Sequence, residues 1–129
     1  MGVYYRTALT NHYPRMHLDI KTKDMELTDA IRAYVEEKMA ALDAKVARFG
    51  TSVTAEVEVG KTSNHHHKGE IYRAEVHVRL PGNTIYAEAT DEDLYTAITQ
   101  AKHEADRQIT AYKEKLQDAH RGTGDDEAI

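Results

Sequence analysis

Two stretches of strict alternation constrain this chain more than any other feature. From Tyr72 to Leu80, the residues Tyr72, Ala74, Val76, Val78 and Leu80 occupy every second position, and Arg73, Glu75, His77 and Arg79 fill the gaps. In the earlier run Val53, Ala55, Val57 and Val59 alternate with Thr54, Glu56 and Glu58. Successive side chains of a strand point to opposite faces, so each run reads as a strand with one apolar and one polar face. A sheet built from such strands needs cover on one side only. A first strand from Met16 shows the same pattern, with Leu18 and Ile20 set against His17, Asp19 and Lys21. A fourth follows the turn Pro81-Gly82-Asn83 through Ile85, Ala87 and Ala89, making a hairpin with the third.

The cover comes from two segments in which the apolar period changes from two to about 3.6. Thr28 is placed to cap a helix whose residues Ile31, Val35, Met39, Leu42, Val46 and Phe49 fall three and four apart, with Gly50 as a left-handed stop. This predicts a first helix from Asp29 to Phe49. The acidic run Asp91-Glu92-Asp93 suits the positive end of a helix dipole, and Leu94, Ile98, Ala101, Ala105, Ile109, Tyr112 and Leu116 then mark one stripe. The second helix is predicted from about Asp91 or Glu92 to Leu116. The order is β-α-β-β-β-α, an α+β fold with a four-stranded sheet and both helices on one face. The other face is left to water or a partner.

Length allows one such domain, since 129 residues support a single core. A 40% hydrophobic and 30% charged composition belongs to a folded, soluble chain. With no cysteine there is no disulfide framework, thiolate zinc site or cysteine nucleophile. No apolar run approaches the roughly 20 residues that cross a bilayer, and no secretory leader opens the chain, so the cytoplasm is the expected compartment. Residues 1–15 lack a regular period and read as an N-terminal extension; the pattern that begins at Met16 also admits a start codon there. The core domain is expected over 16–117, followed by a flexible acidic tail over 118–129 that holds Gly122 and Gly124. The net charge of −5 argues against nucleic-acid binding by bulk positive charge, so any RNA contact must be local.

Four runs in order carry a resemblance: Lys23-Asp24-Met25-Glu26-Leu27-Thr28-Asp29-Ala30-Ile31-Arg32, then Lys68-Gly69-Glu70-Ile71-Tyr72-Arg73-Ala74-Glu75-Val76, then Asp93-Leu94-Tyr95-Thr96-Ala97-Ile98, then Arg107-Gln108-Ile109 with Tyr112-Lys113-Glu114-Lys115. Over nearly all of His17 to Leu116 the chain resembles the bacterial ribosome-hibernation and ribosome-associated-inhibitor family, also called sigma-54 modulation proteins. The resemblance implies a fold like that of double-stranded-RNA-binding domains. It also implies a place in the decoding channel of the small ribosomal subunit, where the protein inhibits translation by occupying the messenger and transfer RNA sites, under stress or in stationary phase and with no cofactor. The matching candidates for contact with ribosomal RNA are Lys23, Arg32, Lys38, Arg107, Lys113 and Lys115, which would bond phosphates as point charges or forks. The family also has long forms with a C-terminal dimerising domain; this chain is expected to be a short form without it, and between the shorter and tailed forms the sequence does not choose.

There are departures from the family. Where many members carry Lys-Leu before the Arg-Gln pair this chain has Glu104-Ala105, and where several carry basic residues after it this chain has Thr110 and Ala111. Losing two or three phosphate contacts would weaken docking and flatten its salt dependence, unless Lys61, Lys68, Arg73, Arg6 and Arg15 compensate.

Other features have plainer readings. His65-His66-His67, with His77 beyond, lacks a carboxylate or thiolate at a ligand spacing and reads as a polar loop, with no metal expected. Most of the tyrosines sit beside apolar stripes, and only Tyr86, on the polar side of the fourth strand, looks free to stack on a base. No nucleophile with a base, carboxylate pair or phosphate loop stands out, so no enzyme is expected. The alternative to RNA docking is a protein-interaction module using the open sheet face (Arg73, Glu75, His77, Arg79, Tyr86) or the tail.

Overall fold

The computed structural model describes residues 16–49, 53–62 and 69–128, the part beyond Ala119 by its backbone alone. The elements are β1 (Met16–Lys23), α1 (Asp29–Val46), a 3-10 turn (Ala47–Phe49), β2 (Val53–Thr62), β3 (Ile71–Leu80), β4 (Asn83–Asp91) and α2 (Leu94–Ala128). The predicted β-α-β-β-β-α order is the observed one. The sheet runs β1-β2-β3-β4, with β1 parallel to β2 and the other pairs antiparallel. A parallel neighbour requires a crossover, and α1 supplies it.

Alternation sets the layers as the sequence predicts. Val53, Ala55, Val57, Val59, Ala74, Val76, Val78, Leu80, Ile85 and Ala87 are buried under the helices. Ile31, Val35, Met39, Leu42 and Val46 of α1 and Ala97, Ile98, Ala101, Ala105 and Ile109 of α2 close on them. Each aliphatic side chain so buried contributes about 1.5–3 kcal/mol by transfer from water.

Local chemistry fixes the ends of the elements. Thr28 Oγ1 accepts from the Ile31 amide at 3.1 Å, the predicted cap. Asp93 Oδ2 accepts from both the amide (3.0 Å) and the hydroxyl (2.6 Å) of Thr96, so α2 starts at Leu94, two to three residues later than the acidic run suggested. At its other end α2 runs past the predicted Leu116 to Ala128, the glycines at 122 and 124 lying in helical backbone. The apolar stripe marks only where α2 is packed: Leu116 is already exposed. The predicted stop at Gly50, the extension 1–15, the three histidines 65–67, and Lys68, Arg6 and Arg15 lie outside the described residues.

Two contacts hold the edge strand β1. Asp43, a buried carboxylate of α1, accepts from the Met16 amide at 2.9 Å. At the opposite end Gly60 faces Lys23, and a Cβ there would come within 2.8 Å of the Lys23 carbonyl oxygen and 3.0 Å of its Cβ. Just after it, Asp24 takes a left-handed φ of 58° and turns the chain out of the sheet toward α1.

Candidate nucleic-acid interface

The six cations picked from the sequence do not form one cluster. Lys23 ends β1 and Arg32 lies in the first turn of α1, both exposed. Arg32 is about 200° around the helix from Tyr34, which touches α2, so it faces away from that helix. Lys38 shares the Tyr34 flank, its Nζ 5.1 Å from the centre of that ring. Tyr34 in turn meets Tyr95 edge-on at 4.8 Å and bonds Thr99 through its hydroxyl at 2.5 Å, so Lys38 stands over the seam between the helices. Arg107 and Lys115 lie on the opposite flank of α2, beside the β3–β4 turn, where both line one open groove. Lys113 is half-buried on α2. Among the described residues, Lys23, Arg32, Lys113 and Lys115 have no ion-pair partner.

Arg107 is engaged. Its Nε and Nη2 donate to the two carboxylate oxygens of Glu104 at 2.9 and 2.5 Å, a fork one helical turn long. Those bonds, with a third from Gln108 Nε2 at 2.9 Å, hold the Glu104 carboxyl down at about 2 and raise the Arg107 guanidinium. The residue that departs from the family pattern is therefore the one that neutralises Arg107. Of the roughly five N–H donors of a guanidinium, the pair on Nη1 is left for another acceptor.

Sequence reasoning missed the seam. Lys45 reaches from α1 to Asp106 of α2, and to Thr110 Oγ1 at 2.9 Å, while Lys102 stands 3.6 Å from Asp106. Burial favours the neutral acid at Asp106, but the two ammonium groups outweigh it and the carboxyl is held below its usual range. Thr110, one of the positions that set this sequence apart, is part of this clasp. No local period announces it, because the partners are 61 and 65 residues apart.

Several cations of the strands are also spent on neighbouring carboxylates. Lys21 pairs with Glu56 at 2.9 Å, and Lys61 with Glu70 at 2.9 Å. Arg73 bonds Glu88 and stands 3.2 Å from Glu75. Tyr86 is exposed, as expected, but held in place: its hydroxyl donates to Glu88 at 2.5 Å and accepts from Arg73 at 3.1 Å, and its ring meets His77 edge-on at 4.6 Å. Lys61 and Arg73 are likewise held by carboxylates rather than offered to phosphates.

Two of the quoted runs turn out to be architectural. In Asp93–Ile98 the aspartate caps α2, Leu94, Ala97 and Ile98 enter the core, and Tyr95 meets Tyr34. In Arg107-Gln108-Ile109, Gln108 Nε2 donates to the Tyr86 carbonyl at 2.9 Å and Ile109 is fully buried, which moors α2 to the edge strand β4. Tyr112 completes the mooring by donating to the Pro81 carbonyl at 3.1 Å.

This arrangement has known counterparts. A ribosome hibernation promotion factor of Lactococcus lactis is 38% identical over 103 residues, covering 76% of this chain and 50% of that protein. One from Staphylococcus aureus is 32% identical over 114 residues, covering 88% of this chain and 57% of that protein. The chain thus spans about half the length of these two relatives. The crystal structure of the Thermus thermophilus Protein Y N-terminal domain superposes with a TM-score of 0.59 at 33% identity, over 75% of this chain and 97% of that one. A ribosomal subunit interface protein from Coxiella burnetii gives 0.58 at 20% identity, over 77% and 99%, a likeness of fold alone. The family profile described as Sigma 54 modulation protein / S30EA ribosomal protein matches residues 18–117. With fold and sequence in agreement over that span, the chain belongs to the sigma 54 modulation protein / S30EA ribosomal protein family.

Proposed function

We propose that this domain is a ribosome-hibernation factor: it docks on the small ribosomal subunit, occupies the decoding channel, and halts translation by excluding messenger and transfer RNA. It works in the cytoplasm of stressed or stationary cells and catalyses no reaction. The observation that carries this reading is the set of uncommitted cations. Among the described residues of a chain of net charge −5, Lys23, Arg32, Lys113 and Lys115 have no ion-pair partner, while Lys21, Lys61 and Arg73 are each held by a carboxylate. Unpaired Lys and Arg at scattered surface points suit phosphates of a folded RNA. The names of the Lactococcus and Staphylococcus relatives point the same way. The division into extension 1–15, ribosome-binding domain 16–117 and acidic tail 118–129 belongs to this proposal.

The test is sucrose-gradient sedimentation of the full chain with ribosomes at low and moderate salt. Co-migration with small subunits that fades as salt rises is expected. Reversing the charge of Lys113 and Lys115 should abolish it. Co-migration that survives this reversal, or that is absent at low salt, rejects the reading in favour of a protein-interaction role.

A further inference from the structure

Between the β3–β4 turn and α2 lies an open groove of about 430 Å³, within the range of about 300–1,000 Å³ typical of pockets for small molecules. Gly82 and Thr84 form one wall, Arg107, Gln108, Ala111 and Lys115 the other. Among the described residues, its only charged lining groups are the two cations. They are eight residues apart on one helix, or about 12 Å along its axis, a spacing that suits two different phosphates of one strand rather than a single ion.

We infer that this groove receives an unpaired nucleotide of an RNA strand, with the flanking phosphates on Arg107 and Lys115 and the base lodged over Ala111. The inference rests on the ribosome-docking reading and narrows it. Three observations converge on this ligand. The groove is concave where Ala111 contributes only a methyl group, and a base held in an A-form duplex stays in its stack and does not enter such a hollow. The Arg107 guanidinium is aimed by its fork with Glu104 and keeps Nη1 for a phosphate. The Gln108 amide is fixed by its bonds to the Tyr86 carbonyl and Glu104, which leaves Oε1 as its acceptor for the edge of a base.

The test is an amide NMR titration of the full chain with a six-residue single-stranded oligoribonucleotide and, separately, with a blunt RNA duplex. Shifts are expected at Gly82, Asn83, Thr84 and Ala111 with the single strand, and at least tenfold weaker binding at those amides with the duplex. Ala111→Trp, at an exposed helix position, should fill the groove and remove the shifts. Arg107→Gln combined with Lys115→Gln should do the same without adding bulk. Equal shifts with the duplex, shifts confined to the helix seam, persistence in either variant, or no groove shifts up to millimolar RNA would each overturn the inference. Sedimentation with ribosomes separates the two readings. Co-migration without groove shifts overturns the groove alone, and groove shifts without co-migration leave the groove standing and overturn the docking reading.

Discussion

The two flanks of α2 carry the same interleaved charges in sequence and use them in opposite ways. On the flank facing α1, Lys102 and Asp106 join Lys45 and Thr110 in a clasp that ties helix to helix. On the flank facing β4, Glu104 and Arg107 pair within one turn, and Arg107 and Lys115 border a groove open to solvent. One flank is structural and the other presents a surface. A mixed charge pattern on a helix is therefore no single signal, and its meaning depends on what packs beside it.

This contrast is open to attack from either side. The largest effect is expected from Arg107→Gln with Lys115→Gln, which should lower ribosome affinity about tenfold or more and reduce the salt slope by roughly one to two, with the melting temperature lowered only by the loss of the exposed Glu104–Arg107 pair. Equilibrium binding across a salt series reads this, and a fall in melting temperature as large as that of a break in the α1–α2 clasp would erase the distinction between flanks. Asp106→Ala should do the reverse: it leaves two lysines without their acceptor and costs about 1–2 kcal/mol, or a few degrees of melting temperature, with ribosome affinity retained. Thermal unfolding followed by circular dichroism decides it.

A gain is expected from Glu104→Gln. Releasing Arg107 from its carboxylate should raise ribosome affinity a few-fold and steepen the salt slope by up to about one, a change in direction opposite to that of the first variant. The smallest effect concerns acid. The Glu104 carboxyl sits at about 2 in the folded chain against an ordinary 4.5. Its contribution to stability is therefore complete above pH 4.5 and fades as pH falls through 2. The difference in urea midpoint between the parent chain and Glu104→Gln should hold from pH 6 down to about 4.5 and shrink from there to pH 3. A difference that stays constant would show that the pair contributes nothing to folding.

Much of the fold was legible because it is written in local periods. The alternation at 53–59 and 72–80, the Thr28 cap and the Pro81-Gly82-Asn83 turn each follow from neighbours within a few residues. The site was legible only as a list of cations. Whether Arg107 or Arg73 is at liberty depends on Glu104 and Glu88, and the second of these meets its partner across strands. The anchoring of Tyr86 was hidden for the same reason, since only the β3–β4 register brings Arg73 and His77 to it. The far end of α2 was misplaced because loss of an apolar stripe ends packing without ending a helix.

At Gly60 the scaffold has no slack. β1 is an edge strand joined to the sheet through β2 alone, and its last residue lies against a position that admits only a hydrogen. A side chain there would wedge away Lys23 together with the Asp24 corner that leads into α1. In a library of all single substitutions, position 60 would stand as a cliff beside the tolerant, exposed Lys61. Engineering that grafts new loops or surfaces onto this domain can range widely, provided that this one glycine is left alone.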